Sequence, residues 1–191
     1  MDSFIITQAM PNKILPPEFF NRKTLKVAKE LLGCFLCRKI NSKVQRYKIT
    51  EVEAYVGSQD KASHASRGKT ARNAHMFEKA GVFYIYFTYG MHWMLNVVTE
   101  KKDFPAAILI RGIKGINGPG RLTKKLKINK SLNGKLAVRE NGLWFESQCQ
   151  GSTLTLGGKT KIKATERVGV SYAGPVWAKK KYRFILVFSS L

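Results

Sequence analysis

Two acids and an aromatic ring alternate along Glu51-Val52-Glu53-Ala54-Tyr55. Side chains of a strand point to opposite faces with period two. A strand here groups Ile49, Glu51, Glu53 and Tyr55 on one face and Val52, Ala54 and Val56 on the other. Paired carboxylates beside a ring suit general acid–base chemistry. The plainer alternative makes both acids solvated strand residues offsetting nearby lysines, and it is preferred for Glu51. Glu53 stands where the strand runs into a long loop, and it is the catalytic candidate.

Tyr55, His64 and Tyr86 lie in three separate elements. Facing a common cavity, they would hold a planar ligand by stacking, as base-processing enzymes hold an extruded nucleobase. Otherwise the tyrosines are half-buried amphipathic residues and His64 an ordinary loop residue. Gly118-Pro119-Gly120-Arg121 opens a lysine-rich helix that includes Lys124, and it matches neither a Walker A loop nor G-x-G-x-x-G. Its N–H groups and helix start suit backbone phosphates; the alternative is a plain turn with a solvated basic face. Cys34 and Cys37 form C-x-x-C, but the segment Gly33 to Cys37 reads as a buried strand. Cys149, His64, His75 and His92 show no ligand spacing, so no metal site is expected.

The charge decides what such a site would face. Lys and Arg number 34 against 12 Asp and Glu, a net +22 on 191 residues that are 44% hydrophobic and 11% aromatic. That balance describes a folded domain whose surface seeks a polyanion. Nucleic acid is the leading partner and an anionic membrane surface the second. Between Arg111 and Arg139 there is no acid, while Lys114, Arg121, Lys124, Lys125, Lys127, Lys130 and Lys135 accumulate. No run approaches the roughly 18 apolar residues that span a bilayer. The start, with Asp2 and a brief Phe4-Ile5-Ile6, lacks a basic leader. Three cysteines make no disulfide framework, which fits a reducing compartment. The expectation is an intracellular, soluble chain, in cytoplasm or nucleoid if prokaryotic and nucleus if eukaryotic.

Periodicity supplies the elements. Pro16-Pro17-Glu18 starts a helix, Leu25, Ala28, Leu31 and Leu32 recur at helical spacing, and Gly33 caps them. Strands are predicted over Cys34 to Ile40 and Tyr47 to Val56, joined as a hairpin at Asn41-Ser42-Lys43. Gly57 to Arg72 is a long loop, anchored after it by Met76-Phe77. Gly81 to Thr88 is a strand with Tyr84 and Tyr86 on one face and Phe83, Ile85 and Phe87 on the other. Tyr89-Gly90 turns it back. Met94 to Thr99, Ala106 to Ile113, Leu143 to Phe145, Arg167 to Val170 and Arg183 to Phe188 are further strands, and Leu122 to Leu126 is helical. Residues 1–14 are expected to be flexible and 15–191 to form one domain.

These blocks together resemble the compact form of the alkyladenine (3-methyladenine) DNA glycosylase family. Glu51 to Gly57 is similar to the family's strand bearing the catalytic acid. Asp60 to Ser66 with His64, then Arg72-Asn73 and Met76-Phe77, resembles the loop that follows. Tyr84 to Met91 with Asn96, Ile108 to Arg111, Gly118-Pro119, Ile128 to Ser131 and Arg167 to Val170 extend the likeness from about Leu15 nearly to the end. The sequence departs from the pattern at Ala71, where many relatives carry proline, and at His75, commonly glycine.

The resemblance implies a single α+β domain with a curved, mostly antiparallel sheet, flanking helices and a protruding β-hairpin. It implies that Glu53 activates water, with Arg111 orienting it. Tyr55, His64 and Tyr86 would form the slot for a flipped base, Asn96 would crowd a normal guanine, and Tyr89 would wedge into the duplex. The partner would be double-stranded DNA with alkylated or deaminated purines, bound by a monomer needing no cofactor. No lysine is placed as a Schiff-base nucleophile, so hydrolysis without strand cleavage is expected. The competing class is a non-enzymatic RNA- or DNA-binding protein. It accounts for the charge and the aromatics but leaves Glu53, His64 and Arg111 as coincidences.

Overall fold

Strand β2 (Lys43–Val56) is the spine of the sheet. Its first half pairs antiparallel with β1 (Phe35–Ile40) across Asn41-Ser42, whose φ angles of 47° and 64° give the left-handed pair that matches hairpin twist. Its second half lies between β5 (Ala106–Ile113) and β9 (Arg183–Val187). The structure, a computed structural model, describes residues 12–147 and 161–187. Expectations for residues 1–11, Cys149 and Phe188 lie outside them.

Strands β3 (Phe83–Thr88), β4 (His92–Val98), β6 (Ile116–Asn117), β7 (Leu143–Glu146) and β8 (Lys161–Thr165) complete the set. The path runs β3-β4-β5-β2-β1-β7, with β6 on β5 and the β8–β9 pair on β2. Every pairing is antiparallel, nine strands among the described residues. The domain is α+β, as expected. Lys13 and Leu15 bond to Ser147 and Phe145, extending the β7 edge.

One sheet face carries the main core. Val52, Ala54, Phe83, Ile85, Leu95, Val97, Ile108 and Ile110 pack there against Val27, Ala28 and Leu31 of α2 (Thr24–Leu31) and Leu122 of α3 (Pro119–Lys125). The helix begun at Pro17 is a single turn, α1 (Pro17–Phe20), separate from α2. A last short helix, α4 (Gly174–Ala178), precedes β9. On the other face, Tyr84, Val98 and Ala107 pack against Ala65 and Met76 of the long loop, which contains two 3-10 turns, His64–Arg67 and Ala74–Phe77.

Two expectations are corrected. Ile49 does not share a face with Glu51 and Glu53 but joins the core with Val52 and Ala54. The cause is a pair of register shifts between β2 and β5, around Thr50 and Arg111, where one extra residue on each strand resets the alternation. Arg167 to Val170 is not a strand but an irregular segment after β8, which periodicity had left unread.

Candidate active site

Cross-strand register lines up Tyr84, Asn96, Leu109, Glu53 and Arg183 in one row across β3, β4, β5, β2 and β9. Residues two positions along, Tyr86 and Tyr55, flank that row on the same face. The long loop and the segment after β8 rise on either side and enclose a cleft of about 730 Å³. A cleft of this size can accept a small ligand or a nucleotide. Tyr55, His64, Tyr86, Tyr89, Arg111, Pro119, Val168 and Tyr172 line it.

Glu53 lies beneath this cleft, 0% exposed. Its Oε1 accepts the Val168 N–H at 2.8 Å and its Oε2 accepts the Tyr55 hydroxyl at 2.8 Å. Arg111 Nε is 3.4 Å from Oε1. Burial raises the carboxyl above its ordinary value, with Arg111, the Val168 amide, Tyr55 and Arg167 opposing the rise. Arg111 gives its Nε–H to Glu51 Oε1 at 2.9 Å, and Arg183 Nε reaches the same oxygen at 2.6 Å. Glu51 is therefore a buried ion-pair partner of two arginines, not the solvated strand residue its lysine-rich setting suggested.

His64 and Tyr86 meet edge to face, centroids 4.6 Å apart, and Tyr84 stands against both. His64 Nδ1 is 2.8 Å from the Tyr84 hydroxyl. Burial, aided by the Arg72 charge, lowers the imidazole below its ordinary value, so the ring is neutral at neutral pH. Burial pushes the Tyr86 phenol up to about 12. The Arg72 guanidinium is held by the Phe87 carbonyl and sits over the Tyr86 ring. Asn73 ties the histidine loop, its Nδ2 donating to the carbonyls of His64 and Gly68. Asn96 is buried and donates to the Tyr84 carbonyl at 3.0 Å. Glu53, Arg111, Tyr55, His64, Tyr86 and Asn96 are thus brought to one face.

Tyr89 is 80% exposed at the tip of the β3–β4 hairpin, in the left-handed region at φ 52°. Phe87 and Met91 are exposed beside it. Gly118 turns the chain into α3 at φ 103° and gives its own N–H to the Arg111 carbonyl, while Arg121 and Lys124 are exposed. Gly120 permits a close approach, because a Cβ there would come within 2.7 Å of the His92 ring. His75 pairs with Glu78 at 2.6 Å. Burial raises the Cys37 thiol, foremost, with Glu146 adding to it.

Residues that the sequence reading missed hold the site together. Arg167 and Asp60, both fully buried at their side chains, form a two-pronged ion pair, and the guanidinium lies 4.8 Å over the Tyr55 ring. Tyr172 donates to the Ala62 carbonyl at 3.0 Å, joining the two loops across the cleft. Asp60 and Arg167 lay inside blocks already singled out, but nothing local paired them.

The profile of the family described as methylpurine-DNA glycosylase (MPG) matches residues 18–117 and 114–189. Similar chains, provisionally named 3-methyladenine DNA glycosylases, occur in Methanocella arvoryzae (39% identical, covering 84% of this chain and 86% of that one) and Sodalis glossinidius (42%, covering 92% and 98%). A third, in Wolbachia pipientis wMel, is 42% identical over 85% of this chain and 87% of its own. A profile match over nearly the whole described fold, with relatives of this similarity and coverage, places this chain in the methylpurine-DNA glycosylase family, as a DNA glycosylase of DNA repair.

Proposed function

We propose that the protein flips alkylated or deaminated purines (3-methyladenine, 7-methylguanine, hypoxanthine, ethenoadenine) out of duplex DNA and hydrolyses their N-glycosidic bond. An abasic site is left and the strand is not cut. The observation that carries this reading is a buried carboxylate under a ring-lined cleft on a strongly basic protein. A purine alkylated at N3 or N7 is cationic, so it leaves readily as a neutral base and is attracted to the electron-rich faces of Tyr55 and Tyr86. Neutral hypoxanthine and ethenoadenine must instead take up a proton as they leave. Its eversion also costs less than that of a well-paired base. Glu53 takes a proton from water and stabilises the oxocarbenium-like sugar, with Arg111 orienting the water. Asn96, rigid through its bond to Tyr84, crowds the exocyclic amine of normal guanine.

Tyr89 enters the gap left by the everted nucleotide, and the basic stretch with Gly118, Gly120, Arg121 and Lys124 grips phosphates. Gly118 supplies the turn there, since its N–H is already bonded. The protein works as a monomer inside the cell, without metal or cofactor.

The test is base release, by chromatography, from duplexes carrying each lesion. No release from any of them, with undamaged and lesion DNA bound equally, would favour a bare binder. Tyr89→Ala should weaken the fluorescence rise of 2-aminopurine placed opposite the flipped position; an unchanged rise removes the wedge. Raising salt from 50 to 200 mM should weaken DNA binding by about 10³-fold or more, as counterion release demands of six or more phosphate contacts. A flat salt response would contradict the phosphate grip.

A further inference from the structure

Glu51 has no part in the mechanism above, yet it is buried and bonded to the arginine that faces the proposed base. Arg111 Nε stands 2.9 Å from Glu51 Oε1 and 3.4 Å from Glu53 Oε1, so its charge is shared unequally between two carboxylates. Arg183 competes for the same Glu51 oxygen at 2.6 Å. The two bulges create this arrangement, because Arg111 is the extra residue of β5 and Glu51 follows the extra residue of β2. Gly112 makes room for it: a Cβ there would come within 3.0 Å of Glu51 Cβ.

We infer that Glu51 is a positioning residue that draws Arg111 away from Glu53 and so preserves the proton affinity of Glu53. A carboxylate in full contact with an arginine holds its proton too weakly to serve as a base near neutrality. The groups facing Glu53 are Glu51 and Tyr55 on β2, Arg111 on β5, Arg183 on β9, Tyr86 on β3, Arg167 after β8 and Tyr172 in the 3-10 turn Ser171–Ala173. Among them, Glu51 and Arg183 set how much of the Arg111 charge remains for Glu53. With Glu51→Gln, Arg111 loses its nearer anion and turns to Glu53, whose titration moves to lower pH. With Arg183→Gln, Glu51 keeps its full charge beside Arg111, and the titration of Glu53 moves to higher pH.

The inference rests on the proposed role of Glu53, but its test does not need turnover. Carboxyl carbons of ¹³C-glutamate-labelled protein are titrated by NMR, with the Glu53 signal assigned by its loss in Glu53→Gln. Opposite displacements in Glu51→Gln and Arg183→Gln, each of about one pH unit and both largely lost when Arg111 is also replaced by glutamine, support the inference. Unmoved midpoints, displacements in the same direction, or displacements that persist without Arg111 overturn it. Should Glu51→Gln fail to fold, Arg183→Gln decides in the same two backgrounds: an upward move that needs Arg111 supports, any other result overturns. Base release by the wild type is measured separately, and its absence would sink the glycosylase mechanism while leaving the titration result standing. Where release occurs, the acid limb of its pH–rate profile should follow the NMR midpoint in each variant.

Discussion

Replacing Glu53 with glutamine is expected to slow base release from alkylated duplex DNA about a thousandfold, while the protein still binds that DNA. Glutamine has nearly the same shape and keeps one oxygen to accept the Val168 N–H, so the cleft should stand. What it loses, on the proposed mechanism, is the basic oxygen and the negative charge that would face the sugar. The pH dependence carries a second signature. Burial holds the Glu53 carboxyl above its ordinary value, so the base is lost by protonation as pH falls through that raised value. Release should therefore decline on the acid side earlier than for an exposed glutamate.

The linkage sign follows from the same shift. Between the ordinary carboxylate value and the raised one, the folded protein binds more protons than the unfolded chain. Stability then falls as pH rises through that window. Glu53→Gln removes this cost, so it should melt above the wild type at neutral pH. That advantage should vanish below the ordinary carboxylate range. Single-turnover release and paired melting curves at two pH values would check both. Wild-type release rates in the variant would remove Glu53 from catalysis.

The grouping of Glu53 with Tyr55 was legible because alternation along a strand is local, whereas Tyr86, on a separate strand, joined them only through the family resemblance. Phe83 and Ile85 fell on the core face, with Tyr84 and Tyr86 opposite, as period two requires. Ile49 defeated the same rule, since a bulge depends on two strands whose pairing no single segment reveals. Arg167 to Val170 read as a strand because Val-Gly-Val is apolar, yet it bends so that Val168 can present its N–H to Glu53. Glu51 read as solvated because nearby lysines such as Lys48 could offset its charge. Its partners, Arg111 and Arg183, lie 60 and 132 residues away. The family resemblance drew attention to the residues that would meet the base, and not to those that hold them in place.

Asp60 is the strongest case of such support, and Asp60→Ala is expected to cost about 3–5 kcal/mol of stability. The Asp60 carboxylate has 0% side-chain exposure and accepts both terminal nitrogens of Arg167 together with the N–H groups of Val56 and Ala62. Truncation leaves a buried guanidinium whose Nε already has no hydrogen-bond partner among the described residues. Carbonyls of Ala54 and Trp177 remain to it, but they carry no net charge to offset its own. For a domain of this size the loss corresponds to a melting point lower by on the order of 10 °C. Denaturation with urea and with heat would measure it, and a change within 1 kcal/mol would show that the pair contributes little. Replacing both partners together, as Asp60→Leu with Arg167→Met, should restore part of the stability by removing the unpaired charge, although the Val56 and Ala62 N–H groups still lose their acceptor. It should not restore base release, because Arg167 also lies over the Tyr55 ring and begins the turn that brings Val168 to Glu53. Recovered stability with recovered release would assign the pair to folding alone; recovered stability without release would assign it to the geometry of the site.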